Sequence, residues 1–312
     1  MKEFDLIRLL VSNVPTNRAV RVGPGDDCAV LDLGVPEKEF LFKTDAVVEG
    51  IHFVREAGAE AIGRKALARC LSDIAAMAGT PIAALVTLAM PENCAPSFIE
   101  AIYAGMELLA KQHDVAIAGG ETVRNPERLI LSISLLGSVS RGQAVLRSGA
   151  GEGDAIFVTG ELGGSIDGHH LSFEPRLEEA RWLAENFRPS AMLDLSDGLA
   201  GDLRHLLAPG RLGAEILASA LPIRKAARIR SKEGRTDKSP LIAALTDGED
   251  YELLFTQKPG KAVALLDRWK EVFPRTPLSC VGKIRKASGL LIRDKSGVRE
   301  LKDYGYDHFA KS

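Results

Sequence analysis

Residues 65–79 read KALARCLSDIAAMAG, an alanine-rich run that carries a single aspartate, Asp73. The run lies inside a helix that we predict over residues 59–78, because apolar positions recur at helical spacing. One face of that helix carries the stripe Ile62, Ala66, Cys70, Asp73 and Met77. Asp73 therefore shares the face that should enter the core, where a lone charge is costly. Such an acid is tolerated when it is protonated, paired with Arg or Lys, or bound to a cation.

Strands and helices alternate on both sides of this helix. Strands are predicted at CAVLDL (28–33) and EFLFKTDAVV (39–48), and three more follow within residues 81–139. Ser97 and Glu100 form a capping-box pattern that predicts the start of a second helix. This half of the chain is therefore predicted to be α+β.

The pattern changes at RGQAVLRSGAGEGD (141–154), which has four glycines and no apolar period. Strands and helices then resume with AIFVTG (155–160), and residues 224–240 read as a charged loop. We predict two domains, one over residues 1–143 and one over residues 144–312.

Composition excludes several classes of protein. The 312 residues are 46% hydrophobic and 26% charged, with a net charge of −2. This balance argues against a nucleic-acid-binding protein. No apolar run approaches the roughly 18 residues that a membrane-spanning helix needs. The four cysteines are scattered without a C-x-x-C pair, which is typical of a cytoplasmic protein.

Acidic residues in apolar surroundings suggest the chemistry. Asp27 lies in GDDCAV (25–30), and further acids are Asp45, Glu121, Asp194, Asp197, Glu249 and Asp250. Clusters of oxygen ligands suit Mg²⁺, which commonly shares phosphate oxygens with a nucleotide. Phosphoryl transfer needs mainly positioning and charge neutralisation. We find neither a P-loop nor a Ser-His or Cys-His set, so a phosphotransferase of another fold is predicted.

Simpler explanations exist for each of these residues taken alone. Asp197 precedes a helix and could be its N-cap, and GDD could be an ordinary turn. Asp73 could pair with Arg69 or Lys65 of its own helix. The remaining alternatives are a solvated linker for Arg147, a satisfied histidine for His52, core packing for Tyr103 and turn acids for Glu249 and Asp250.

The ordered motifs resemble the thiamine-monophosphate kinase family. They are GDDCAV, KTDAVVEGIHF, KALARCLSDIAAMAG, GGET, RSGAGEGD, LDLSDGL, DGEDYELLF and the C-terminal YGYDHF. The resemblance spans residues 25–309 and implies a two-domain α+β fold like that of aminoimidazole ribonucleotide synthetase. It implies that residues 1–143 bind ATP and Mg²⁺ and pair their sheets across a homodimer. It implies that residues 144–312 form an α/β domain that completes the active site. The implied reaction transfers phosphate from ATP, with Mg²⁺, directly to thiamine monophosphate, forming thiamine diphosphate.

The resemblance also implies roles for individual residues. No dedicated catalytic base is implied, because the acceptor is already a phosphate. The implied metal ligands are Asp27, Thr44, Asp45, Asp73, Glu121, Asp194 and Asp197. The implied ATP contacts are Tyr103, Gly120, Glu121, Arg147 and Ser196. The implied contacts to thiamine monophosphate are His52, Glu249 and Tyr306.

Two positions depart from the family pattern. GGET places Glu121 where the family usually has aspartate, and Lys43 stands where a small hydroxyl usually precedes Thr44. A protonated lysine cannot bind a cation, although it could replace some positive charge. Two alternatives therefore stay open: a non-catalytic nucleotide or metal sensor, and a sibling ATP-dependent enzyme that acts on another acceptor.

Overall fold

The computed structural model describes residues 3–301, apart from the side chains of residues 3–5 and 8. Its first half forms a sheet from β1 (Val20–Val22), β2 (Ala29–Leu31), β3 (Lys38–Val48), β4 (Thr80–Met90), β5 (Ala116–Arg124) and β6 (Ile130–Ser140). The strand order is β1-β2-β3-β6-β4-β5, in which β4 and β5 are parallel and the other pairs are antiparallel. The helices of this half are α1 (Glu3–Val11), α2 (Ala59–Ala76) and α3 (Pro96–Gln112).

The second half forms its own sheet, in the order β13-β12-β9-β11-β7-β10-β8. Its strands are β7 (Ala155–Thr159), β8 (Ala191–Asp194), β9 (Gly213–Leu217), β10 (Leu253–Gln257), β11 (Leu278–Arg285), β12 (Gly289–Asp294) and β13 (Gly297–Glu300). Its helices are α4 (His169–Ser172), α5 (Leu177–Asn186), α6 (Leu199–Leu207), α7 (Lys225–Lys232), α8 (Pro240–Thr246) and α9 (Ala262–Val272).

Helix α2 lies between the two sheets. Its predicted stripe of Ile62, Ala66, Cys70, Asp73 and Met77 is buried along its whole length, which confirms the prediction. One apolar cluster joins α2 and the first sheet to α5, α9 and the near face of the second sheet, and a second cluster lies under α6 and α8. The boundary at residues 143 and 144 stays a prediction, since apolar packing continues across both halves.

Two local predictions were wrong. Helix α3 begins at Pro96 with Ala95 as its N-cap and no side-chain cap, so Ser97 does not start a capping box. Proline suits the first helical position, because its missing N–H would have no partner there. The segment at 224–240 contains helix α7, whose Ala227 is buried while Arg230 pairs with Asp167. Contacts with neighbouring elements thus stabilise a helix that we do not predict from the charged sequence.

Strand β9 was not identified from the sequence, although it pairs with both β11 and β12 in the second sheet. Within residues 3–301, no helix is both long and apolar enough to cross a membrane.

The crossing of α2 and α3 depends on glycine at two positions. A Cβ on Gly63 would lie 1.8 Å from the carbonyl oxygen of Ile102, and a Cβ on Gly105 would lie 2.0 Å from that of Glu60. Both obstacles are backbone atoms, so the helices can approach this closely only without side chains there.

We expect Gly63→Ala to destabilise the protein by about 2–4 kcal/mol, because the added methyl group must push the two helices apart. Urea unfolding measures the difference. The control is Gly260→Ala, where nothing lies within 4 Å of the added Cβ. Equal free energies of unfolding for the two variants would show that the helices can move apart without loss of stability.

Candidate functional site

Three carboxylates from distant parts of the chain meet beside α2. Asp27 precedes β2, Asp73 lies near the end of α2, and Asp194 ends β8. All three are buried, and each offers an oxygen within 4.8 Å of the others. The predicted convergence of these acids is therefore present in the folded chain.

The turn that carries Asp27 is held from two sides. Gly25 has a φ of 131°, which favours glycine because other residues rarely adopt it. The backbone N–H of Arg147 donates to Asp26 Oδ1 at 2.6 Å, and the N–H of Cys28 points at Met77 Sδ at 3.1 Å. GDD is thus a turn, as the simpler explanation held, but a turn that aims Asp27 at the cluster.

Each acid of the cluster has one polar partner. Lys43 Nζ lies 3.0 Å from Asp73 Oδ1, and Arg147 Nη2 lies 2.5 Å from Asp27 Oδ1. Ser72 Oγ donates to Asp194 Oδ2 at 2.5 Å. Two of the simpler explanations are therefore wrong. Asp73 pairs with a lysine of β3 rather than with its own helix, and Arg147 is not a solvated linker residue.

Charge and burial shift the protonation of these groups. Burial raises the pKa of Asp73 well above its usual range, although Lys43 opposes the rise. Burial and the neighbouring Asp27 raise the pKa of Asp194 to about 6. Although burial opposes it, the pKa of Lys43 is raised by Asp73 and the other nearby acids, so Lys43 carries a firm positive charge.

The donor set fits a divalent cation. Three carboxylates face two cationic side chains, and Asp27 Oδ2 is buried with no hydrogen-bond partner within residues 3–301. Two oxygens on one Mg²⁺ lie about 2.9 Å apart when adjacent and about 4.2 Å apart when opposite, given bonds of 2.0–2.1 Å. Asp27, Asp73 and Asp194 are already close to that spacing, so a small inward movement would complete three ligands.

The other two predicted aspartates, Asp45 and Asp197, do not belong to this group of three. Asp45 shares the inner face of β3 with Lys43, and Arg69 Nη2 lies 3.5 Å from its carboxylate. Asp197 is half-buried, and its backbone N–H donates to Asp202 Oδ2 at 3.0 Å. The N-cap of α6 is Gly198, so the simpler explanation of Asp197 as that cap is wrong.

Thr44 and Glu121 lie on the other face of the first sheet. Alternation along β3 turns Thr44 away from Asp45, and Thr44 Oγ1 lies 3.4 Å from Ser132 Oγ. Glu121 is exposed and pairs in register with Thr87. Glu121 is therefore separated from the buried acids by the sheet itself, as Thr44 is. The structure does not bring these two predicted ligands to Asp73.

The predicted ATP contacts are also dispersed. Gly120 packs so tightly on β4 that a Cβ would lie 1.8 Å from the carbonyl oxygen of Val86. Tyr103 is half-buried against the core beside the crossing at Gly63, about 15 Å along α2 from Asp73. Ser196 accepts a hydrogen bond from the backbone N–H of Glu249 at 2.7 Å. Among the predicted ATP contacts, all of which are described residues, only the side chain of Arg147 contacts the acid cluster.

Two predicted substrate residues meet at a buried lysine. Lys65 Nζ lies 2.5 Å from Glu249 Oε1 and donates to the carbonyl oxygen of His52 at 2.5 Å. His52 Nδ1 accepts from the backbone N–H of Val48, so His52 is also a satisfied, half-buried histidine. The third predicted substrate residue, Tyr306, lies outside the described residues.

The sequence analysis missed the roles of Ser72, Lys65 and Asp202. The sequence suggests Lys65 only as a partner for Asp73. Its spacing of four residues from Arg69 and eight from Asp73 nevertheless places all three on the same side of α2. Ser72 is adjacent to Asp73, but its partner is 122 residues away and left no local signal.

Comparison with known proteins shows which family this chain resembles. Residues 25–139 match the family described as AIR synthase related protein, N-terminal domain. A thiamine-monophosphate kinase from Rhodopirellula baltica is 42% identical over 87% of this chain and 85% of its own. The chain belongs to the thiamine-monophosphate kinase family. The kinase of that name from Bacillus subtilis is 34% identical over 99% of this chain and 100% of its own.

Solved structures of thiamine-monophosphate kinases show the same fold. The structure of AaThiL complexed with AMPPCP and TMP has a TM-score of 0.81 and 28% identity, over 99% of this chain and 97% of that one. The predicted two-domain α+β fold is therefore confirmed for this member of the thiamine-monophosphate kinase family.

The raised pKa of Asp194 predicts a pH-dependent effect of Asp194→Asn. The folded pKa of about 6 exceeds the ordinary 3.8, so ionising Asp194 costs the folded wild type progressively more stability from about pH 4 to pH 6. Asparagine cannot ionise, yet its oxygen can still accept from Ser72. We expect the variant to gain about 1 kcal/mol relative to wild type between pH 5 and pH 7.5.

Urea unfolding at the two pH values, without divalent cations, measures that gain. Asp267→Asn is the matched control, since Asp267 is exposed on α9 and should show no such trend. A variant that loses stability relative to wild type as the pH rises would contradict the assignment.

Proposed function

We propose that this protein phosphorylates thiamine monophosphate to thiamine diphosphate, with ATP as the phosphoryl donor. The observation that carries the proposal is likeness to thiamine-monophosphate kinases over nearly the whole chain. A solved member of similar length is described as complexed with AMPPCP and TMP. The buried acids give the site the charge that such a reaction requires.

Mg²⁺ is the cofactor that the donor set supports, with Asp27, Asp73 and Asp194 as its ligands. Ligand roles for Asp45 and Asp197 stay predictions. When bound, Mg²⁺ neutralises phosphate oxygens and helps to align them for transfer. Ligand roles for Thr44 and Glu121 stay predictions. Their placement puts any ion that they hold on the outer face of the first sheet, away from Asp73.

The side chains of this site act by charge and position. Lys43 and Arg147 supply fixed positive charge next to the acids, so phosphate oxygens can approach without facing three bare carboxylates. No dedicated base is needed, because the acceptor phosphate is already an anion at neutral pH. We assign the acceptor end to His52 and Glu249, with Tyr306 as a third predicted contact. Tyr103, Gly120, Glu121, Arg147 and Ser196 remain the proposed contacts to ATP.

A homodimer is proposed from the uncovered face of the first sheet. Phe42 and Leu85 on that face are 48% and 50% exposed, and Ile82 is 37% exposed. Phe42 pairs in register with Leu136, and Leu85 with Ser134, so these side chains form one patch. Exposed apolar patches of this kind mark interaction surfaces. A second copy would cover the patch and bring its own Thr44 and Glu121 nearby.

We also propose that the protein works in the cytoplasm. All four cysteines are free thiols, which is the usual state in a reducing compartment.

A coupled assay of ADP release tests the reaction. We expect ADP only when ATP, Mg²⁺ and thiamine monophosphate are all present. Asp73→Asn should fold, because the asparagine oxygen can still accept a hydrogen bond from Lys43, but it should lower the turnover number at least about a hundredfold. Asp267→Asn should keep wild-type turnover.

Other outcomes identify the alternatives. Turnover of ATP that does not depend on thiamine monophosphate would favour a sibling enzyme with another acceptor. Binding of ATP without any turnover would favour a sensor. Full activity of Asp73→Asn would show that Asp73 is structural.

The dimer proposal predicts that Leu85→Glu dissociates the protein, because the charge would be buried without a partner in the interface. Light scattering after size-exclusion chromatography should give twice the chain mass of 33.5 kDa for wild type and the single mass for the variant. Leu108→Glu, at a side chain of α3 that is 72% exposed, is the control and should stay dimeric. A wild-type protein of single mass would refute the proposal.

A further inference from the structure

Lys65 carries a charge in the interior of the protein. Its side chain is fully buried, with 0% of the residue exposed, and burial lowers the pKa of its ammonium while Glu249 opposes the fall. Lysine is rarely buried completely unless it is paired. The ammonium reaches Glu249 Oε1 and the carbonyl oxygen of His52, each at 2.5 Å. It thereby joins α2 to two segments that are almost 200 residues apart.

The Glu249 segment has a strained backbone. Glu249 has a φ of 64° and Tyr251 a φ of 49°, values that residues other than glycine rarely adopt. Such conformations persist only where the surroundings impose them, and they gather at ligand sites. Here the surroundings are Lys65 on the carboxylate, Ser165 Oγ on the carbonyl oxygen of Glu249 at 2.5 Å, and the Ser196 carbonyl on its N–H.

We infer that Lys65 is a positioning residue for the acceptor: it holds Glu249 Oε1 and the His52 backbone so that Glu249 presents its other oxygen, Oε2, to the ring end of thiamine monophosphate. This inference rests on the proposed function. Tyr251 Oη also contacts Oε1, at 3.4 Å, so within the described part of the chain Lys65 and Tyr251 both contact the same oxygen of Glu249. The side chain of Glu249 is 27% exposed, so Oε2 can accept from an amino group or face a cationic ring.

The position of Lys65 along α2 agrees with this role. Lys65 lies eight residues before Asp73, which is about 12 Å along the helix axis. An acceptor that carries a ring at one end and a phosphate at the other would bridge such a span, with its ring at Glu249 and its phosphate towards the acids.

The test measures substrate kinetics for Lys65→Met, Glu249→Gln and the double variant. We expect Lys65→Met to raise the KM for thiamine monophosphate about tenfold or more, because the carboxylate is no longer held in place, and to leave the KM for ATP unchanged. In the Glu249→Gln background, Lys65→Met should add less than it does alone, since much of its effect passes through Glu249. Lys111→Met, on the exposed surface of α3, is the control and should match wild type.

A second variant covers the case in which Lys65→Met does not fold. Ser165→Ala removes a different hold on Glu249 without removing a charge, and it should also raise the KM for thiamine monophosphate selectively. Equal losses for both substrates, or full additivity of Lys65→Met and Glu249→Gln, would overturn the inference in favour of a merely structural lysine. A wild-type protein that does not use thiamine monophosphate at all would instead refute the proposed function.

Discussion

Three carboxylates buried against one another are the constraint on which the rest of this site depends. Like charges at such distances repel strongly in a medium of low dielectric constant. The folded chain therefore supplies compensating groups from separate elements: Lys43 from β3, Arg147 from the segment between the sheets, and Ser72 from α2. These groups do not complete the compensation, because no described residue donates a hydrogen bond to the buried Oδ2 of Asp27. That oxygen is therefore still available to a cation.

Helix α2 connects the acid cluster to the acceptor end through a series of charged pairs. Successive turns carry Lys65, Arg69 and Asp73, and each pairs with a different partner: Glu249 of the second half, then Asp45 and Lys43 of β3. Each of the three has a partner of opposite charge, so the helix can be buried between two sheets without leaving a net charge at any of these turns. The acid cluster and the acceptor end are consequently fixed to one rigid element, and their separation is set by helix geometry.

Alternation along β3 places the polar residues of the KTDAVVEGIHF motif on two different faces of the first sheet. Lys43 and Asp45 face α2, whereas Thr44 faces the uncovered side of the sheet. A segment that reads as one ligand motif in sequence thus contributes to both faces of the sheet. Lys43 also stands beside Asp73 as a permanent cation, so one positive charge of this site belongs to the protein itself.

The sequence alone determined many of the elements and the inward direction of Asp73. The stripe on α2 and the ordered motifs could be recognised because they depend on residues that are close together in the chain. The charged helix α7 and strand β9 were not, since their support comes from neighbouring elements. Only the tertiary structure decided the partners. Asp73 meets Lys43 across 30 positions, Asp27 meets Arg147 across 120, and Ser72 meets Asp194 across 122. Such pairs follow from how sheets and helices pack, and no local period encodes them.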